Sequence, residues 1–254
     1  MSQEIEQRIS NEQTAALPAL TFGGQIVVVE REEQVESACR DLMSHPIIGF
    51  DTETRPSFKA GVSYKVSLLQ LSTPERCYLI RLNKVGLSRP ILEVLESDKV
   101  VKLGADVAGD IRSLNQICTL HERGFYDLQN VVWEWGIAER SLRKMAALVL
   151  GSKISKAQRL SNWEAATFTP QQMIYAATDA WACIEIYNKL QSTPKLSAEQ
   201  IAKLRAQQAQ QAAEAAERRR KRMAEAEAKG YKRPSRPSRP SRHRRSKKKQ
   251  ETNE

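Results

Sequence analysis

A succession of short aliphatic runs in the first half of the chain limits the fold more than any other feature. QIVVVE, starting at Gln25, is free of breakers and reads as a strand. In HPIIGFDTET, Ile47, Ile48 and Phe50 make a buried strand that ends abruptly in charge. KVSLLQLS (65–72) and RCYLIRL (76–82) read as strands joined by a Thr-Pro turn, with VVKLG (100–104) and a short FYDL (125–128) after them. Between these lie two helical patterns: residues 32–44, with Val35, Ala38, Cys39 and Leu42 at helical spacing, and a stretch from about Ala108 to Leu120. After Asp127 helices take over. SLRKMAALVLG (141–151) closes on a glycine, and residues 161–190 contain a long helix whose Thr-Pro start puts Pro170 in the tolerated first turn. Strands first, then helices to cover them, predict one α/β domain over residues 21–192.

The flanks differ in kind. Residues 1–20 are polar, lack periodicity and are expected to be loose. Residues 193–229 are rich in Ala, Gln and Glu and predict a helix whose apolar stripe is too thin to bury, so it is exposed or needs a partner. Residues 230–254 repeat Arg-Pro-Ser and end in Arg and Lys, a composition that predicts a disordered basic tail. The net charge of +10 belongs to this end: 16 Lys and Arg face two Glu between Arg218 and Lys249, leaving residues 1–217 near −2. No apolar run approaches the roughly 20 residues of a membrane helix, and the acidic N-terminus has no signal-like apolar core. Cys39, Cys77, Cys118 and Cys183 lack metal-site spacing and suit reduced, mostly buried thiols. No membrane partner and a cytoplasmic setting are expected, nucleoid-associated or nuclear according to the host.

Three acidic motifs carry the chemistry. Asp51 and Glu53 are two apart on a strand, so both carboxylates project to one face. A strand that buries three apolar residues and then presents two acids calls for a neutralising cation, although a solvated turn also accommodates D-x-E. Asp106 and Asp110 lie one helical turn apart where a strand gives way to a helix, a place where acids also serve as caps. Tyr175 and Asp179 share a helix face at i, i+4 spacing, and a structural Tyr–Asp hydrogen bond would use the same spacing.

Together, in this order and with about 57 residues between the first two motifs, they resemble the DEDD superfamily of 3′→5′ exonucleases, in its tyrosine-bearing subgroup. That subgroup includes ribonuclease D and the Werner-type exonuclease domain. The likeness runs over about residues 25–190 and includes SNWE and YAATDA. The resemblance implies a ribonuclease H-like mixed β-sheet flanked by helices, with the helical extension and basic tail appended. It implies two Mg²⁺ or Mn²⁺ ions. Asp51 would bridge them, Glu53 and Asp179 would complete the site for the attacking water, and Asp110 would hold the second ion near the leaving oxygen. Tyr175 would hydrogen-bond the water. Hard carboxylate oxygens suit these ions, and a metal pair supports in-line phosphodiester hydrolysis. Asp106 is the weaker second-motif candidate.

The implied substrate is the 3′ end of DNA or RNA, with DNA favoured because the phrases match the Werner-type domain more closely. Thr52 and Thr54 flank the first motif, where the Thr52 backbone can meet the 3′ terminus. Phe58 and Trp163 are candidates for base stacking; Trp163 suits the core at least as well, and Trp133, Trp135 and Trp181 are expected in the core. Lys153, Lys156 and Arg159 border a loop that either contacts phosphates or is simply solvated. The basic tail is expected to attract nucleic-acid backbones without regard to sequence. The rival reading is an inactive nucleic-acid-binding or scaffold protein on the same fold.

Overall fold

A computed structural model of the chain describes residues 5–228. The chain divides into two units, with the boundary between Leu204 and Arg205. In the first, six strands form one mixed sheet. They are β1 (Gln25–Val29), β2 (Ile47–Thr54), β3 (Val66–Ser72), β4 (Arg76–Arg81), β5 (Val101–Gly104) and β6 (Phe125–Asp127), in the spatial order β1-β4-β3-β2-β5-β6. β3 runs antiparallel to both of its neighbours, whereas the β1–β4, β2–β5 and β5–β6 pairs are parallel. This is the ribonuclease H-like α/β arrangement expected from the sequence.

Helices cover both faces. The sequence contains α1 (Asn11–Ala16), α2 (Glu32–Leu42), α3 (Leu82–Val85), α4 (Arg89–Leu95), α5 (Val107–Leu114), α6 (Leu142–Leu150), α7 (Pro170–Gln191) and α8 (Ala198–Ala228). On one face Val35 and Leu42 of α2, Ile91 and Val94 of α4 and Ile111 of α5 pack with Phe50, Leu69 and Ile80. On the other, Ala176 and Ala177 of α7 meet Leu68 and Leu79, while Met145 and Ala146 of α6 pack with Ile184 and Ile186. Each large aliphatic side chain so covered contributes roughly 1.5–3 kcal/mol. All seven residues of β3 are buried, as a central strand covered on both sides requires.

Several expectations are corrected. The N-terminal segment is not loose throughout: Ser10 and Gln13 form a capping box for α1, Thr14 is buried, and Leu20 N–H donates to the Lys153 carbonyl. The helix expected to reach Leu120 stops at Leu114, because the Asn115 side chain accepts from Leu120 N–H and turns the chain. α3 and α4 were not foreseen. Trp133, expected in the core, is 38% exposed and donates its indole N–H to the Asn130 carbonyl. Residues 193–204 are mostly exposed, with Leu196 against Gly136 and Lys195 paired with Glu134 at 2.5 Å.

The described part of the second unit, residues 205–228, is helical, with a Glu217–Lys221 ion pair at 2.8 Å one turn apart. The expected disordered tail over 230–254 lies outside the described residues. No helix among the described residues is long and apolar enough to cross a membrane.

Candidate metal centre

The site grows from the end of β2. Strand alternation puts Gly49, Asp51 and Glu53 on one face, and a register irregularity after Glu53 breaks that alternation. α7 packs on this face at unusually close range. A Cβ on Gly49 would lie 2.0 Å from the Ala180 carbonyl oxygen, so the missing side chain is what admits the helix backbone. Thr169 starts α7 with a capping box, and Phe22 N–H donates to the Thr178 hydroxyl, fixing the helix lengthwise. Asp179, next to Ala180, is thereby carried to the acids of β2. One carboxylate oxygen each from Asp51, Glu53 and Asp179 lies within 4.8 Å of the others. The Tyr175 hydroxyl, one turn earlier, interacts with both Glu53 and Asp179.

Asp110 arrives from the opposite face. α5 packs on the Phe50 side of β2, and there the Thr52 hydroxyl donates to Asp110 Oδ1 at 2.5 Å. Asp110 therefore lies outside the close group of three, held at the strand end by a neighbour-directed bond. The Thr52 side chain thus has a task beyond the backbone contact to a 3′ terminus expected of this residue. Asp106 adopts a left-handed conformation (φ 73°) to start α5, and a Cβ on Gly109 would meet its carboxylate at 2.7 Å. Asp127, at the end of β6, accepts from Val107 N–H at 3.2 Å and so caps the helix that presents Asp110. The sequence reading missed Asp127; its place after a short strand was the available signal.

Burial and crowding oppose ionisation throughout the site. Asp51 is raised well above the usual carboxylate range by burial, then by the charges of Asp110, Asp179 and Glu53. Glu53 is pushed up to about 8 by burial and by Asp179 and Asp110, with the nearby Tyr175 hydroxyl and Trp163 indole opposing. Burial takes Asp179 to about 7 against the Tyr175 hydroxyl. It also takes Asp110 to about 7, with the Thr52 bond opposing and Asp106 and Asp127 adding repulsion. Protons thus bind these groups more tightly in the folded chain than in the unfolded one. Their stabilising contribution is complete below about pH 4 and is lost as pH rises through 7–8. In EDTA, the melting temperature should fall between pH 5 and pH 8.5, and Mn²⁺ should restore more at pH 8.5 than at pH 5. A thermal-shift series that stays flat in EDTA across that window would contradict this.

The remaining candidates separate clearly. Phe58 is 81% exposed beside a groove of about 470 Å³ lined by Arg55, Lys59, Val62, Tyr64, Leu160 and Asn162, among others. Thr54 ends β2, half-buried. Trp163 is fully buried between Tyr175 and Phe168, so the core reading holds and its ring offers no face to a base. Lys153 donates its ammonium to the Ala15 carbonyl, a structural use in place of the phosphate contact considered for it. Lys156 and Arg159 are exposed. Trp135 is buried, and Trp181 is partly buried against Phe22.

Residues 26–194 match the 3′-5′ exonuclease family. Among curated relatives, the Mus musculus bifunctional 3′-5′ exonuclease/ATP-dependent helicase WRN is 33% identical over 184 residues, 68% of this chain and 13% of that protein. The Homo sapiens exonuclease 3′-5′ domain-containing protein 2 is 31% identical over 189 residues, 67% of this chain and 30% of the relative. The chain thus spans well under two thirds of either relative. In structure it is similar to the Aedes aegypti Nibbler EXO domain (TM-score 0.62, 24% identity, covering 68% of this chain and 92% of that one). It is also similar to Escherichia coli RNase D (TM-score 0.59, 21% identity, 66% and 44%). At these identities the two likenesses speak to the fold. With residues 26–194 matching the family, acids of β2 and α7 drawn together and Asp110 held beside them by Thr52, the chain belongs to the 3′-5′ exonuclease family.

Proposed function

We propose that this chain is a divalent-metal-dependent 3′→5′ exonuclease that removes nucleotides from the 3′ end of nucleic acid. The observation that carries the reading is the convergence of Asp51, Glu53 and Asp179, whose oxygens fall within 4.8 Å of one another. A largely buried group of carboxylates, made only of hard oxygen donors, fits Mg²⁺ or Mn²⁺, whose charge would offset the mutual repulsion. Asp51, Glu53 and Asp179 would hold one ion, and Asp51 with Asp110 a second. When bound, such ions neutralise the carboxylates, lower the pKa of water and stabilise charge on the leaving oxygen.

The chain's own residues orient the reactants. Thr52 fixes the Asp110 carboxylate. Tyr175, whose burial and acidic neighbours keep its phenol protonated, offers an O–H beside Glu53 and Asp179, where the attacking water is to be aligned. Tyr175→Phe should lower kcat on the order of 10- to 100-fold while leaving Mn²⁺ affinity and melting temperature close to those of the unaltered protein. Steady-state kinetics paired with calorimetric Mn²⁺ titration will check it, and an unchanged kcat would remove Tyr175 from the mechanism.

We favour DNA as the substrate, because SNWE and YAATDA resemble the Werner-type domain more closely than ribonuclease D. The exposed Phe58 and its groove give an unpaired base a surface to stack on. We assign the exonuclease domain to residues 21–192, a helical extension to 193–229, and to the basic tail over 230–254 a salt-dependent attraction to phosphate backbones. Digestion of 5′-labelled DNA and RNA tests the whole reading. A ladder shortening from the 3′ end, dependent on Mg²⁺ or Mn²⁺ and faster on DNA, is expected; internal cleavage or metal-independent digestion would overturn it.

A further inference from the structure

Two fully buried polar side chains border the acid group without hydrogen-bond partners. Gln70 lies directly across from Asp51 in the antiparallel β2–β3 pair, on the same face of the sheet, and neither atom of its amide is satisfied. Trp163 Nε1–H is buried with no hydrogen bond formed, on a ring that stacks against Tyr175 and lies near Glu53. Leaving such groups unpaired is costly, and a packed core of this kind would ordinarily use apolar residues there.

The Trp163 position is also held with some effort. Its ring stacks on Tyr175 with centroids 6.0 Å apart and meets Phe168 edge-on at 5.7 Å. Beneath the same loop runs Arg81, itself buried, whose guanidinium donates to the carbonyls of Ala165 and Ala166, pairs with Glu30 at 2.6 Å and lies over the Phe168 ring. On the far side, Arg55 pairs with Glu164 at 3.1 Å. The loop after Trp163 is therefore pinned at consecutive residues, and the indole N–H has little freedom to seek another acceptor.

We propose that Gln70 and Trp163 are positioning residues whose N–H groups hold the carboxylates of Asp51 and Glu53 in the orientation that binds the metal. This rests on the metal-dependent reading above. A carboxylate that gives one oxygen to a cation keeps its other oxygen for a donor, and such donors set ligand orientation. With one oxygen of each carboxylate given to a cation, the other would accept from these donors.

The test separates positioning from packing. Trp163 is replaced by β-(3-benzothienyl)alanine, which keeps the ring's shape and exchanges the N–H for sulfur, and Gln70→Met removes the amide at similar volume. Mn²⁺ binding is followed by calorimetry and melting temperature in EDTA by circular dichroism. Each variant should bind Mn²⁺ about 10- to 100-fold more weakly, with a melting temperature in EDTA equal to or above that of the unaltered protein. Affinity within twofold of the unaltered protein in both variants overturns the proposal, as does a loss of folding stability that accounts for the weaker binding. If the unaltered protein itself binds no Mn²⁺, the metal reading fails and takes this inference with it; unchanged affinity in both variants beside normal binding by the unaltered protein sinks the inference alone.

Discussion

Asp51→Asn should reduce nucleotide release by roughly a thousandfold or more while raising the melting temperature in EDTA at pH 8. Asp51 is the residue on which the site's charges converge: Asp110, Asp179 and Glu53 all act on it, on top of the penalty of burial. In the proposed site Asp51 is the ligand that both ions would share, so removing its charge would weaken both. If it supplies about 4 kcal/mol of charge stabilisation in the transition state, the loss is about three orders of magnitude. The same substitution relieves repulsion in the metal-free protein, so activity and stability should move in opposite directions. Rate measurements under saturating Mn²⁺, with melting curves in EDTA, check both halves. An Asn variant that is inactive because it unfolds would contradict the electrostatic account.

The second large effect is expected at a residue with no chemistry. Gly49→Ala places a Cβ 2.0 Å from the Ala180 carbonyl oxygen and 2.7 Å from its carbon, and neither backbone atom can rotate aside. Strand and helix must part, and the helix that moves is the one carrying Asp179. Overpacking of this kind costs about 2–3 kcal/mol, a fall of roughly 4–12 °C in melting temperature. A displacement near 1 Å at the site should lower activity on the order of a hundredfold. Gly23→Ala is the control, since a Cβ there meets nothing within 4 Å. Thermal melts and rates for both variants test the point; a fully active, equally stable Gly49→Ala protein would show that Asp179 is not delivered by this contact.

These two positions also show what could be read from sequence. Asp51 and Glu53 were legible because strand alternation is local: two residues apart means one face, whatever the strand pairs with. Tyr175 and Asp179 were legible for the same reason on a helix, and Thr169-Pro170 marked where that helix begins. Gly49 was not, because its meaning lies in Ala180, 131 residues away in sequence, and periodicity does not name partners. The same limit hid the Thr52 hydroxyl's bond to Asp110, the Asp127 cap on α5 and the burial of Arg81 beneath the loop after Trp163. α3 and α4 escaped for another reason. Helices of four and seven residues present too few turns for a pattern to emerge, although Ser88 and Pro90 signalled a helix start and Ile91, Val94 and Leu95 its buried stripe. Trp163 was weighed between a base platform and the core, and its burial decided for the core while leaving its N–H at the acids.

The most direct measurement is anomalous diffraction from crystals of the full chain soaked in Mn²⁺. The account expects a Mn²⁺ peak coordinated by carboxylate oxygens of Asp51, Glu53 and Asp179. Manganese bound elsewhere, with those three carboxylates left uncoordinated at saturating concentration, would contradict it.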